Sequence, residues 1–181
     1  MRVGVFGGSF DPPHVGHGMV AAWLHWSGLC DEVWLVPTYV HPFAKDLGPF
    51  HWRVAMATAL ADAVGPWVKV EPIEASLAAP SFTVVTLDAL SLRHPTHRFR
   101  LVMGADNVPD APKWREWDRV LAQYDPIIVG RLGWPEPGGS PVFPDVASRD
   151  VRGRKADGRP YAHLLVPAVA RLYDAPDRRG A

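Results

Sequence analysis

Gly7-Gly8-Ser9-Phe10-Asp11-Pro12-Pro13-His14-Val15-Gly16-His17 is the stretch whose reading decides the fold. It is preceded by a short β-branched run, Arg2 to Phe6, and followed by an Ala-, Leu-, Met- and Trp-rich stretch from Val15 to Ser27 that ends at Gly28. A strand cut off by two glycines, then a helix, is the first half of a βαβ unit. In open α/β sheets ligands gather at this turn, outside the carboxyl end of the strand. Gly7 and Gly8 let the backbone approach a ligand closely. The helix N-terminus supplies unpaired N–H groups and the positive end of a dipole, a ready site for an anion. His14 and His17, three residues apart, share one face if both lie in a first helical turn. Two imidazoles aimed at an anion site suit the charge that develops in phosphoryl transfer. A zinc pair is the other reading of such histidines. Cys30 stands alone and no further ligand cluster accompanies it, so no metal ligands are assigned. The dinucleotide fingerprint Gly-x-Gly-x-x-Gly is absent from the turn.

Outward from that turn the pattern repeats. Strands are predicted at Glu32 to Val36, Trp67 to Val70, Phe99 to Met103 and Pro126 to Val129. Helices are predicted at Phe50 to Val64, Thr83 to Arg93 and Lys113 to Gln123. Alternation of this kind predicts an α/β fold, a single Rossmann-like doubly wound parallel sheet. Arg131 to Ser140, with two Pro and three Gly, reads as a surface loop. The tail from Arg149 reads as two short helices, Pro167 opening the second, with Asp177 to Ala181 frayed. One domain over 1–181 is expected, with 145–181 as its small helical C-terminal part.

Composition sets outer limits. The chain has 181 residues, 48% of them hydrophobic, enough for one core. Nineteen basic residues balance nineteen acidic ones, so no net field recruits nucleic acid or an anionic membrane. A single cysteine fits a reducing compartment, and no stretch has the length or apolarity of a signal peptide or a membrane span. A cytoplasmic protein is expected; composition leaves the oligomeric state open.

The Gly7–His17 stretch closely resembles the Gly-Gly-(Thr/Ser)-Phe-Asp-Pro-x-His-x-Gly-His segment of the nucleotidyltransferase superfamily. Within it, the chain looks like the bacterial nicotinate-mononucleotide adenylyltransferase family. Val33-Trp34-Leu35-Val36-Pro37 is similar to that family's second strand, and Ser81-Phe82-Thr83 with Thr86-Leu87 resembles its Ser-Tyr-Thr-x-Asp-Thr-Leu. Met103-Gly104-Ala105-Asp106-Asn107 and Lys113-Trp114 resemble its Gly-Ala-Asp-Asn and acceptor-site tryptophan. Phosphopantetheine adenylyltransferases and glycerol-phosphate cytidylyltransferases share the histidine segment without these later ones.

The resemblance implies adenylyl transfer from ATP to nicotinate mononucleotide, with Mg²⁺ and release of pyrophosphate. It implies catalytic His17 and His14, and ATP binding by Gly7, Gly8, Ser9, Phe10, Gly104, Asp106, Ser148 and Arg152; Lys45 and Arg149, at positions that depart from the family's pattern, are assigned to ATP for their charge. Thr83, Trp114 and His41 fall to the acceptor. Each assignment has a plainer counterpart. Trp114 could be a core tryptophan, one of eight in the chain; Asp106 could be an N-cap; Thr83 could cap its own helix. The chain departs from the family in three places. Pro-Pro-His-Lys becomes His41-Pro42-Phe43-Ala44-Lys45; the usual Asp of Thr-x-Asp-Thr-Leu is Val85; and Ile-Ser-Ser-Thr-x-Ile-Arg becomes Val146-Ala147-Ser148-Arg149-Asp150-Val151-Arg152. Arg149 either replaces lost hydroxyls at the phosphates or is a solvated surface arginine. Transfer to another phosphorylated acceptor, or a nucleotide-binding regulator without turnover, remain the rival functions.

Overall fold

The computed structural model describes residues 1–41, 46–134 and 138–175. Among these, six strands form one sheet: β1 (Arg2–Gly8), β2 (Glu32–Pro37), β3 (Val68–Val70), β4 (Arg98–Gly104), β5 (Ile127–Arg131) and β6 (Val142–Phe143). Their order is β3-β2-β1-β4-β5-β6, and every pairing is parallel. The helices are α1 (Val15–Trp26), α2 (Phe50–Val64), α3 (Thr83–Arg93), α4 (Trp117–Tyr124), α5 (Ser148–Ala156) and α6 (Pro167–Asp174). The predicted Rossmann-like doubly wound sheet is therefore the observed one.

A parallel sheet is covered on both faces, so each strand sends alternate side chains into different cores. Val33 and Leu35 of β2 join Leu24 of α1, Met56 and Leu60 of α2, Val151 of α5 and Val169 of α6. Trp34 and Val36 of the same strand join Val3 and Val5 of β1, Leu87 and Leu90 of α3, and Val120 of α4. Burying each such side chain contributes roughly 1.5–3 kcal/mol before entropy is set against it. α6 lies on α2, with Trp52 and Tyr173 stacked at 5.7 Å between centroids. That docking carries α5 back toward the first loop. Among the described residues no helix is long and apolar enough to cross a membrane.

Several element bounds differ from the sequence reading. β1 runs on through Gly7 and Gly8, because Gly8 still pairs with Pro37. β6 was not foreseen: two residues in a Pro-rich stretch carry no periodicity, yet Gly130 and Arg131 of β5 give them partners. The predicted Lys113–Gln123 helix is broken. Lys113 closes a 3₁₀ turn (Ala111–Lys113), Trp114 is extended (φ −73°, ψ 148°), and Glu116 is left-handed (φ 53°), so α4 begins only at Trp117. The predicted fraying of Asp177 to Ala181 falls outside the described residues.

Candidate active site

β1 and β4 are neighbours, yet β1 leads on to β2 on one side while β4 leads on to β5 on the other. Their carboxyl ends therefore form the topological switch point, where α/β sheets take their ligands. Two cavities open there, one of about 560 Å³ and one of about 360 Å³. Phe6, Gly7, Ser9, Gly104 and Asn107 line both, so the loops after β1 and β4 form the wall between them. A Cβ on Gly7 would meet nothing within 4 Å. Packing therefore does not require this glycine, and its bare backbone leaves room for a ligand.

His14 is the N-cap of α1, extended at φ −134° and ψ 172°, and His17 is the third helical residue. The two bracket the first turn of the helix, where the His14 carbonyl accepts from His17 N–H at 3.0 Å, and their rings meet at 3.8 Å, as the spacing suggested. Gly16 permits this, since a Cβ there would stand 3.0 Å from Nδ1 of His14. The His14 backbone N–H donates to Nδ1 of His17 at 3.1 Å. Phe10, buried and at φ 48°, packs its ring on His17 at 4.9 Å. A bulky residue in the left-handed region is strained, and such strain is typical of functional loops.

Burial lowers the pKa of His14 to about 4, helped by the nearby positive charge of Arg131. Burial, then His14 and Arg131, also hold His17 well below its ordinary value. Both rings are neutral at pH 7. With an N–H pointed at its Nδ1, His17 carries its proton on Nε2, the nitrogen left to donate into the cavity it lines.

The larger cavity gathers most of the nucleotide set foreseen from the sequence. Gly7, Ser9, Phe10, His14 and His17 line it from the first loop. Gly104 and Asp106 line it from the end of β4, and Ser148, Arg149 and Arg152 from α5. Gly8 lies on the smaller cavity, with His41, Thr83 and Trp114. Lys45 lies outside the described residues. Asp106 is half-buried and accepts from a guanidinium N–H of Arg131 at 2.7 Å, so it caps no helix of its own. Ser148 donates its hydroxyl to the Pro12 carbonyl at 2.8 Å, and Arg152 donates to the Asp11 carbonyl. The two α5 residues thereby pin the first loop as well as lining the cavity.

Two arginines were not foreseen. Arg131, at the end of β5, lines the larger cavity and bridges Asp106 and Asp145, each at 2.7 Å. Arg53 of α2 is only 1% exposed. It donates to the Ser9 and Gly48 carbonyls, both at 2.9 Å, while Gly48 N–H donates to Asp11 at 3.1 Å. A polar residue on the apolar face of α2 is the one signal that could have flagged it. Among the described residues no group of three or more His, Cys, Asp or Glu could hold a metal ion.

This arrangement agrees with what the chain resembles. The cytidylyltransferase-like family profile matches residues 5–154. A probable nicotinate-nucleotide adenylyltransferase of Anaeromyxobacter sp. (strain K) is 43% identical over 176 residues, covering 96% of this chain and 94% of that one. The counterpart from Myxococcus xanthus (strain DK1622) is 38% identical over 174 residues, with 96% and 91% covered. Among solved structures, Plasmodium falciparum nicotinic acid mononucleotide adenylyltransferase complexed with NaAD shares the fold at a TM-score of 0.80 and 18% identity, with 94% and 93% covered. The chain belongs to the cytidylyltransferase-like family and, within it, to the nicotinate-nucleotide adenylyltransferases.

Proposed function

We propose that the chain acts in the cytoplasm to transfer AMP from ATP to nicotinate mononucleotide, giving nicotinate adenine dinucleotide and pyrophosphate. The observation that carries this reading is the pair of cavities sharing the Gly7 and Gly104 wall, with His14 and His17 on the larger one. ATP would fill the larger cavity and the mononucleotide the smaller, so their phosphates meet at the shared wall. The acceptor phosphate is already anionic at neutral pH, so no protein base is needed. Its oxygen attacks the α-phosphorus in line, the bond from that phosphorus to the β-phosphate oxygen breaks, and pyrophosphate departs with the electron pair. Catalysis is then positioning and charge stabilisation.

Neutral His17 would donate Nε2–H to the α-phosphate as its charge builds, and His14 would hold a neighbouring oxygen. Asp106, oriented by Arg131, would accept from the ATP ribose. Arg149 and Arg152, with Lys45, would face the departing pyrophosphate, and His41 the phosphate of the acceptor. Trp114 would offer its face to the pyridine ring, with Thr83 hydrogen-bonding at that end. Mg²⁺ bound together with ATP would supply charge neutralisation to the phosphates. On the protein side, Ser148, Arg149 and Arg152 on the larger cavity would hold the phosphates that carry the ion.

Pyrophosphate release with ATP, Mg²⁺ and nicotinate mononucleotide tests the reading, and absence of turnover would falsify it. A regulator that binds ATP without turnover is the second reading. It is favoured by Ala147, which has no hydroxyl, and by Ser148, whose hydroxyl is already given to Pro12. ATP binding without pyrophosphate release on any acceptor would support it.

A further inference from the structure

The smaller cavity holds a charge to which the reading above gives no task. Arg115 lines it beside Phe82, Thr83 and Trp114. The break between Lys113 and Trp117 takes Trp114 and Arg115 off the helical path and leaves both on the cavity wall. The Arg115 guanidinium carbon stands 5.1 Å from the centroid of the Phe82 ring, a cation–π contact that holds the fork in place. Its carboxylate neighbour is weakly engaged. Nε lies 3.6 Å from Glu116, too long for a hydrogen bond, and Glu116 already accepts from Arg119 at 2.8 Å. Lys113, the other long cation on this cavity, is paired with Asp110 at 2.6 Å. Glu74 also lines the cavity, but its two oxygens accept from Tyr39 N–H at 2.9 Å and the Thr86 hydroxyl at 3.0 Å. An aromatic face followed directly by a guanidinium suits a ligand that carries an anion on its ring.

We propose that Arg115 is the specificity determinant that selects an acceptor bearing a carboxylate on its aromatic ring over the same ring bearing an amide. This rests on the acceptor reading of the smaller cavity. The planar fork receives both oxygens of a carboxylate. An amide offers one acceptor and turns N–H donors toward a cation. The side chain is 55% exposed, so its replacement leaves the fold intact and the test reads recognition.

The experiment is steady-state pyrophosphate release with ATP and either nicotinate mononucleotide or nicotinamide mononucleotide, for wild type, Arg115→Gln and Arg115→Lys. Wild type should prefer the acid. Arg115→Gln should lower the acid-to-amide ratio of kcat/KM by about tenfold or more, as expected for one charge-assisted contact. The loss should appear in the KM for the acid, and Arg115→Lys should fall between, keeping the charge without the fork. An Arg115→Gln enzyme with the wild-type ratio overturns the proposal and leaves the functional reading standing. A wild-type enzyme that turns over neither mononucleotide overturns both.

Discussion

The backbone N–H of His14 donates to Nδ1 of His17 at 3.1 Å, which ties the cap of α1 to the chemistry of the cavity. The bond satisfies the amide of the residue that enters the helix. It also decides the tautomer: an N–H aimed at Nδ1 leaves the ring proton on Nε2. Protonating His17 would set two donors against each other, so burial and hydrogen bonding both favour the neutral donor. The local geometry of a helix start thus determines what kind of catalyst the histidine can be.

His17→Ala removes that donor. If its contribution is made in the transition state, kcat should fall by about 10²-fold or more while the KM for ATP changes much less. Initial-rate kinetics decide it. Normal kcat with a raised KM would show a residue that only binds.

The histidine pair also predicts a pH dependence of stability. His14 titrates at about 4 in the folded chain and near its ordinary 6.5 when unfolded. Between these values the unfolded chain holds a proton that the folded one lacks. The stability is therefore complete above pH 6.5 and is lost as pH falls toward 4, by about 3 kcal/mol at the lower end. Chemical denaturation across this window should show that slope in the wild type and a flatter one in His14→Phe. Equal slopes would mean that His14 does not carry it.

Arg53 joins the first loop to the segment before α2 from inside the protein. Arg53→Met leaves the Ser9 and Gly48 carbonyls without its donors and removes the charge facing buried Asp11 and Glu74. A loss of about 3 kcal/mol or more is expected, with a raised KM for ATP in whatever protein still folds. Arg53→Lys should lie between. Wild-type melting behaviour in Arg53→Met would refute the role.

Trp114→Ala should raise the KM for the mononucleotide about tenfold, the effect of one lost stacking face, and leave ATP nearly unaffected. Titration of each substrate at saturating levels of the other separates the two. Equal losses for both would place Trp114 in the packing between Trp117 and the α3 side of the sheet.

Arg149 is 74% exposed, lines the larger cavity, and sits 3.9 Å from Asp150, a loose pairing. If its fork does the work of the missing hydroxyls, Arg149→Ala should raise the KM for ATP several-fold, with a smaller penalty at high salt. Kinetics at two ionic strengths check this. Unchanged KM values would return Arg149 to the solvated surface and leave Arg152 as the phosphate contact of α5.

The first loop was legible from sequence because everything it needs is local. Strand alternation, a glycine without a Cβ, and histidines three apart act over a few residues, and they were enough to predict the sheet and the histidine pair at its carboxyl edge. The family segments added Asp106, Thr83 and Trp114, and these do line the two cavities. Packing decided the rest. Arg131 comes beside Asp106 across 25 residues, Arg53 beside Ser9 across 44, and Ser148 and Arg152 beside Pro12 and Asp11 across 136 and 141. Periodicity carries no information over such separations. Those pairings exist only because β5 closes onto β4 and because α6, docked on α2, holds α5 against the first loop.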